Sequence, residues 1–299
     1  MVLSELVGHV SALLERPLPY EWVDATHAPA DHMTAAEREA VAADAFDRLH
    51  LKRGVWEAWK AGRATLVSKV LRHTKTMVDL ARVTCFLPAG AKEPDWGLWA
   101  CIFAWFGPAA RGTRKGGPWN VIWFAAATPR RFPLVGQDLG PEHVNGGYTR
   151  PCSTEGIFIY RAEEVTRVLI HEMLHAACLD ETSQTEGVRG DTGNAVGWSV
   201  PLREAQIEVW AELLLVALVS RGVHKNALRL WGLQSQWVAD TNRKARADHN
   251  TRDMDDYAWR YLCGREVMYA RHGIALPAAD HGRASQMRSV RFTDPALGR

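Results

Sequence analysis

The chain has 299 residues, 47% of them hydrophobic and 23% charged, with 36 basic against 34 acidic side chains for a formal net charge of +2. That length and composition suit a globular protein with a sizeable core, in one large domain or two lobes. The balanced charge gives no footing for nucleic acid or an anionic membrane as partner, and no run of about 18 apolar residues exists to span a bilayer.

The N-terminal stretch Val2–Arg16 has helical apolar spacing (Leu3, Leu6, Val10, Leu13, Leu14) and stops at Pro17 and Pro19. It has no basic leader and carries Glu5 and Glu15, so it does not read as a secretory signal. Thr34-Ala35-Ala36-Glu37 is a capping box for an Ala-rich helix running to about Lys60, before Gly62. His27, His32 and His50 fall in this region without ligand spacing and read as surface or core histidines.

Ala64–Leu87 is compatible with helix or strand. Leu98–Phe106 and Trp119–Ala126 are aromatic, apolar runs bounded by Gly and Pro, and read as buried strands. Between them Arg111–Gly117 is a basic, Gly-rich turn without the GK[ST] ending of a phosphate loop. Gly156–Arg161 is a further strand. Val144–Thr149, with Gly146, Gly147 and Tyr148 ahead of Pro151, suits a sheet edge where an extended peptide could add; a plain turn at Asn145-Gly146-Gly147 is the alternative. Glu181–Ser199 reads as a loop, Leu202–Arg221, Lys225–Ala247 and Met254–Arg271 as helices, and His281 onward as a loose, locally basic tail (Arg283, Arg288, Arg291, Arg299). The order predicts an α+β protein: a helical region over 1–62, a sheet-containing lobe over 63–185 and a helical lobe over 186–299.

The chemistry is concentrated in Arg161–Asp180. His171-Glu172-Met173-Leu174-His175 is an HExxH pattern on an amphipathic helix, with Val168, Leu169, Leu174 and Cys178 expected to face the core. Residues four apart share a helix face, so His171 and His175 can address one ion. Glu172, about 100° round, can reach a water without ligating. Zinc needs a third protein ligand. Leu202–Arg221 offers Glu204, Glu208 and Glu212 on one stripe. Glu208 is the expected ligand and Glu204 the next candidate, with Glu212 as a carboxylate that orients a ligand imidazole. Asp180 or Glu181 are remoter alternatives, since Cys178 and Glu181 stand where an HExxHxxGxxH pattern has Gly and His, and Cys152 is a further one without a flanking motif. Tyr257, Tyr261 and His224 are candidate oxyanion donors.

The five cysteines (Cys85, Cys101, Cys152, Cys178, Cys263) are odd in number, scattered and without a CxxC pair, so free thiols in a reducing, intracellular compartment are expected.

With HEMLH at 171–175 and Glu208-Val209-Trp210-Ala211-Glu212, the chain resembles the zincin metallopeptidases, and among them the glutamate-ligand (gluzincin-like) branch. The resemblance implies one zinc ion on His171, His175 and Glu208, Glu172 as general base, and an edge strand bordering the cleft. A weaker resemblance, over about 145–212, is to metallopeptidase-like proteins of large DNA viruses, which implies a viral, virion-associated protein. The resulting expectation is a zinc metallopeptidase acting on a peptide or protein substrate. Its rivals are a zinc amidase acting on small amides, and a zinc-binding structural protein without catalysis.

Overall fold

A computed structural model describes residues 2–25, 35, 39, 41, 47–107, 109, 117–179 and 200–279. The sheet grows from one hairpin: β2 (Ala64–His73) and β3 (Asp79–Pro88) pair antiparallel, which settles the ambiguous Ala64–Leu87 stretch as strand. β1 (Tyr20–Asp24) adds antiparallel outside β2. On the other side β4 (Trp119–Phe124) lies parallel to β3, and β6 (Ile157–Ile159) parallel to β4. The two-residue strand β5 (Gly147–Tyr148) closes that edge antiparallel to β6, giving the order β1-β2-β3-β4-β6-β5. This open mixed sheet with surrounding helices agrees with the α+β expectation.

Side-chain alternation divides the core between the two faces of the sheet. Val83, Cys85, Val121, Trp123, Ile157 and Ile159 point into the larger cluster, which also takes residues of α1 (Val2–Leu14), α3 (Trp96–Phe106), α5 (Val165–Ala176) and α6 (Val200–Val219). Phe86, Ile122, Phe124 and Phe158 face the opposite way, toward Trp56 and Trp59 of α2 (Leu51–Lys60). Phe86 and Phe124 stack at 4.9 Å there. Both faces are covered, so β4 is buried at every position and is apolar except at Asn120.

Three expectations are corrected. Leu98–Phe106 is helix, part of α3, not strand. Asp95 caps it by accepting the Leu98 N–H (2.9 Å), and its burial at Trp99, Ala100, Ile102, Phe103 and Phe106 removes the polar face that would have shown a helical period. The single helix expected to run to about Lys60 is interrupted: Ala35, Glu39 and Val41 are helical, but the chain turns at 47–50, where His50 has φ 53° and Asp47 accepts the Lys52 N–H at 2.6 Å, and α2 starts at Leu51. Met254–Arg271 divides into a 3₁₀ turn, Tyr257–Tyr261, and α8 (Gly264–Arg271). A Cβ at Gly264 would come within 2.7 Å of Trp259 and 2.9 Å of Ala205, so glycine lets this corner close onto α6 beside Glu204. His27, His32, the Thr34 capping box, most of the Arg111–Gly117 turn, Asp180, the Glu181–Ser199 loop and the basic tail lie outside the described residues.

Cysteine usage is corrected as well. Cys152 and Cys178 form a disulfide, while Cys85, Cys101 and Cys263 are free. The pair is 26 residues apart in sequence and meets only because the chain returns through β6 and α5. Cysteine usage therefore no longer argues for a reducing compartment. No helix among the described residues is long and apolar enough to cross a membrane.

Helix α4 (Pro141–Val144) leads into β5, and α7 (His224–His249) follows α6. The entry to β5 is fastened by buried arginines. Arg161 donates to the carbonyls of Asn145 (2.9 Å), Thr128 (2.9 Å) and Glu142 (2.6 Å), and Arg130 donates to Val144 O (2.9 Å).

Candidate functional site

Helix α5 is buried around nearly its whole circumference, including His171 and Glu172. The two histidines lie one turn apart on the same helix face, as i and i+4 must, their rings edge to face at 69° and their Nε2 atoms 3.2 Å apart. Glu204 of α6 meets both: Oε1 is 3.0 Å from His171 Nε2 and Oε2 is 3.5 Å from His175 Nε2. These three side chains form the one group among the described residues whose donor atoms, all within 4.8 Å of one another, could hold an ion.

The register on α6 differs from the expectation by one turn. Glu208 is not at the donor cluster; its Oε1 lies 3.2 Å from His171 Nδ1, on the far side of the ring, and its Oε2 is paired with Arg167. The Nδ1 contact is within ion-pair reach but is not aligned as a hydrogen bond. Glu208 thus occupies the orienting position expected of Glu212. Glu212 sits a further turn into the core, paired with Arg265 and accepting the Tyr269 hydroxyl, away from the histidines. The side chains are 16%, 4% and 0% exposed for Glu204, Glu208 and Glu212. Glu204 is the most accessible of the three, and Glu212 does not reach the cavity. Buried carboxylates require partners, and each glutamate of the stripe has its own.

Electrostatics follow from this packing. Burial disfavours charge on His171, but the Glu208 and Glu204 carboxylates more than offset it and raise its pKa to about 9. Burial would raise Glu208, yet the Arg167 and His171 charges prevail and hold it at about 2. Glu204 is held far below the usual carboxylate range: burial again opposes, and His175 and His171 outweigh it. Glu172 alone goes the other way, burial lifting its carboxyl to about 7 against the pull of both histidines. A carboxylate poised near neutrality is suited to taking and returning a proton.

Glu172 faces a cavity of about 300 Å³ shared with His171, His175, Glu204, Glu208 and the edge strand. Gly146, Gly147 and Tyr148 line it, as does the 3₁₀ turn through Tyr257 and Tyr261. The glycines are required by contact: a Cβ at Gly147 would lie 2.7 Å from Phe158 O, 2.8 Å from Val168 Cγ1 and 3.1 Å from Glu172 Oε1. Strand β5 therefore rides directly on α5. Tyr257 donates to Asn145 Oδ1 (3.0 Å), and the Tyr257 and Tyr261 hydroxyls are 3.5 Å apart. Burial and the Glu204 charge push the Tyr261 hydroxyl well above its ordinary pKa, so it stays protonated and able to donate.

Not every candidate comes to the cavity. His224 is exposed at the start of α7 and does not line it, and Cys152 is committed to the disulfide. Sequence reasoning missed Arg130, Arg167 and Arg260, which do line it. Arg167 had a legible signal, standing four residues before His171 on the same face. Comparison with protein-family models, with curated proteins and with solved structures gave no match.

Proposed function

We propose that the chain is a zinc-dependent metallopeptidase of zincin-like fold, with His171, His175 and Glu204 as ligands and Glu172 as general base. One observation carries the reading: three donors of the right kind converge within a cavity that is also lined by Glu172 and the outermost described strand of the sheet. Donor atoms bound tetrahedrally about 2.0–2.2 Å from one zinc are spaced about 3.3 Å apart. His171 Nε2 is 3.2 Å from His175 Nε2 and 3.0 Å from Glu204 Oε1, and one donor atom from each of the three residues lies within 4.8 Å of the other two, so the residues fit such an ion.

When bound, zinc lowers the pKa of water and polarises a carbonyl. The protein supplies the rest. Strand β5 is the outermost strand of the described sheet and lines the cavity, the place where an extended peptide can add, which favours a peptide over a small amide as substrate. Glu172 takes a proton from the attacking water and delivers it to the departing amine. Tyr261, with Tyr257 beside it, donates toward the oxyanion. Glu208, anchored on Arg167, fixes the His171 ring so that Nε2 faces the donor cluster. An edge strand beside the HExxH helix is also what the zincin resemblance implies.

The test is digestion of an unstructured peptide library by the zinc-loaded protein and by Glu172→Gln. Zinc-dependent cleavage lost in the variant supports the reading. Cleavage that persists without zinc, or no cleavage by a zinc-loaded protein, contradicts it.

A further inference from the structure

The arginines around the cavity are spoken for, with one exception. Arg130 pairs with Glu163 and Glu164, Arg167 with Glu208 and Arg265 with Glu212, while Arg161 is spent on backbone carbonyls. Arg260 lines the same cavity with no carboxylate partner among the described residues, and its buried Nε has no acceptor. Its guanidinium lies over the Tyr257 ring, 5.0 Å from the centroid. Tyr257 is itself held by Asn145, the residue that enters the β5 edge. Contact with a ring that is itself hydrogen-bonded confines the guanidinium to the cavity wall.

From this arrangement we infer that Arg260 is a specificity-determining residue that receives a carboxylate of the bound peptide close to the scissile bond. The inference rests on the peptidase reading. The planar fork matches a carboxylate with two parallel hydrogen bonds, and a substrate carboxylate would satisfy the stranded Nε donor. The closeness follows because Arg260 and Glu204 line one cavity of about 300 Å³, near the small end for ligand sites. A doubly charged phosphate fits less well, since Glu172, Glu204 and Glu208 line the same cavity and repel the larger charge more strongly. The carboxylate can come from an Asp or Glu side chain or from the C-terminus of the peptide.

The probes are peptides of one parent sequence bearing Ala, Asp, Glu or phosphoserine at each position near the cleaved bond, each with a free or an amidated C-terminus. Binding is measured by calorimetry on zinc-loaded Glu172→Gln, with and without Arg260→Gln or Arg260→Lys, and kcat/KM on the otherwise wild-type protein. Carboxylate-bearing peptides are expected to bind about ten- to hundredfold more tightly than their Ala or amide counterparts, the size of a charge-assisted hydrogen bond. Arg260→Gln should erase that preference, Arg260→Lys should keep part of it, and the melting temperature should stay put in both. A preference that follows Asp or Glu identifies a side-chain carboxylate, and one lost on amidation identifies the C-terminus; either supports the inference. A preference for phosphoserine, or a loss in Arg260→Gln that is equal for all peptides, overturns it. Arg260-dependent binding without any cleavage by the wild type sinks the peptidase reading and leaves the carboxylate site standing.

Discussion

Glu204 and Glu208 address opposite nitrogens of a single imidazole. Glu204 Oε1 is 3.0 Å from His171 Nε2, and Glu208 Oε1 is 3.2 Å from His171 Nδ1. One turn of α6 therefore supplies both a candidate ligand and the group that orients its neighbour, and the ring between them has little freedom to rotate.

Arg167 is what makes a buried Glu208 tolerable. Replacing it by methionine strands a carboxylate that is 4% exposed. Breaking one side of a buried pair costs about 3–5 kcal/mol. Urea unfolding of Arg167→Met should show a loss of that size, with weaker zinc binding by the folded fraction. Wild-type stability would show that Glu208 is neutral or hydrated.

For Glu172 the expected separation is between binding and turnover. Glu172→Gln keeps the shape of the side chain and removes the base, so zinc content should match wild type while kcat falls by about 10²–10⁴. Zinc content by elemental analysis and steady-state rates on a cleaved peptide measure the two. Lost zinc in the folded variant would mean that Glu172 is a ligand.

Glu212 is assigned to the core rather than to the metal. Glu212→Ala leaves Arg265, a fully buried arginine, without its carboxylate, at a cost of about 3–5 kcal/mol. Zinc affinity of the molecules that remain folded should be unchanged. A variant that is stable but binds zinc poorly would restore the orienting role expected from the sequence.

Gly147 tests whether β5 must lie against α5. In Gly147→Ala the new methyl meets Phe158 O at 2.7 Å and Val168 Cγ1 at 2.8 Å, so the edge must shift. Overpacking of this kind costs about 1–3 kcal/mol. The control is Gly8→Ala, where nothing lies within 4 Å on a helix and a gain of about 0.5–1 kcal/mol is expected. Thermal melts compare them, and peptide turnover should fall only in Gly147→Ala.

The sequence carried the helix of the site because HExxH is local: two histidines four apart share a face wherever the helix lies. The third donor was not legible to the same degree. Glu204, Glu208 and Glu212 repeat at the helical period, so any of them satisfies the pattern, and only the crossing of α5 and α6 selects Glu204. The edge at Gly147–Tyr148 was legible through its paired glycines. α3 was misread because a helix buried on most sides has no polar face to betray its period, although Asp95 stood at its start as a cap. The Cys152–Cys178 pair is a property of tertiary contact, and so is the place of Arg260 at the cavity; only its neighbour three residues earlier, Tyr257, is local.

Which glutamate holds the metal is decided by zinc affinity, measured by competition with a chromophoric chelator for wild type, Glu204→Ala and Glu208→Ala, with X-ray absorption of the zinc-loaded wild type. One zinc on two imidazoles and a carboxylate is expected. Glu208→Ala should weaken it about 10- to 100-fold, as loss of an orienting group does, and Glu204→Ala should weaken it further. Glu204→Ala binding zinc as well as wild type, with the loss falling on Glu208→Ala instead, would contradict Glu204 as the ligand.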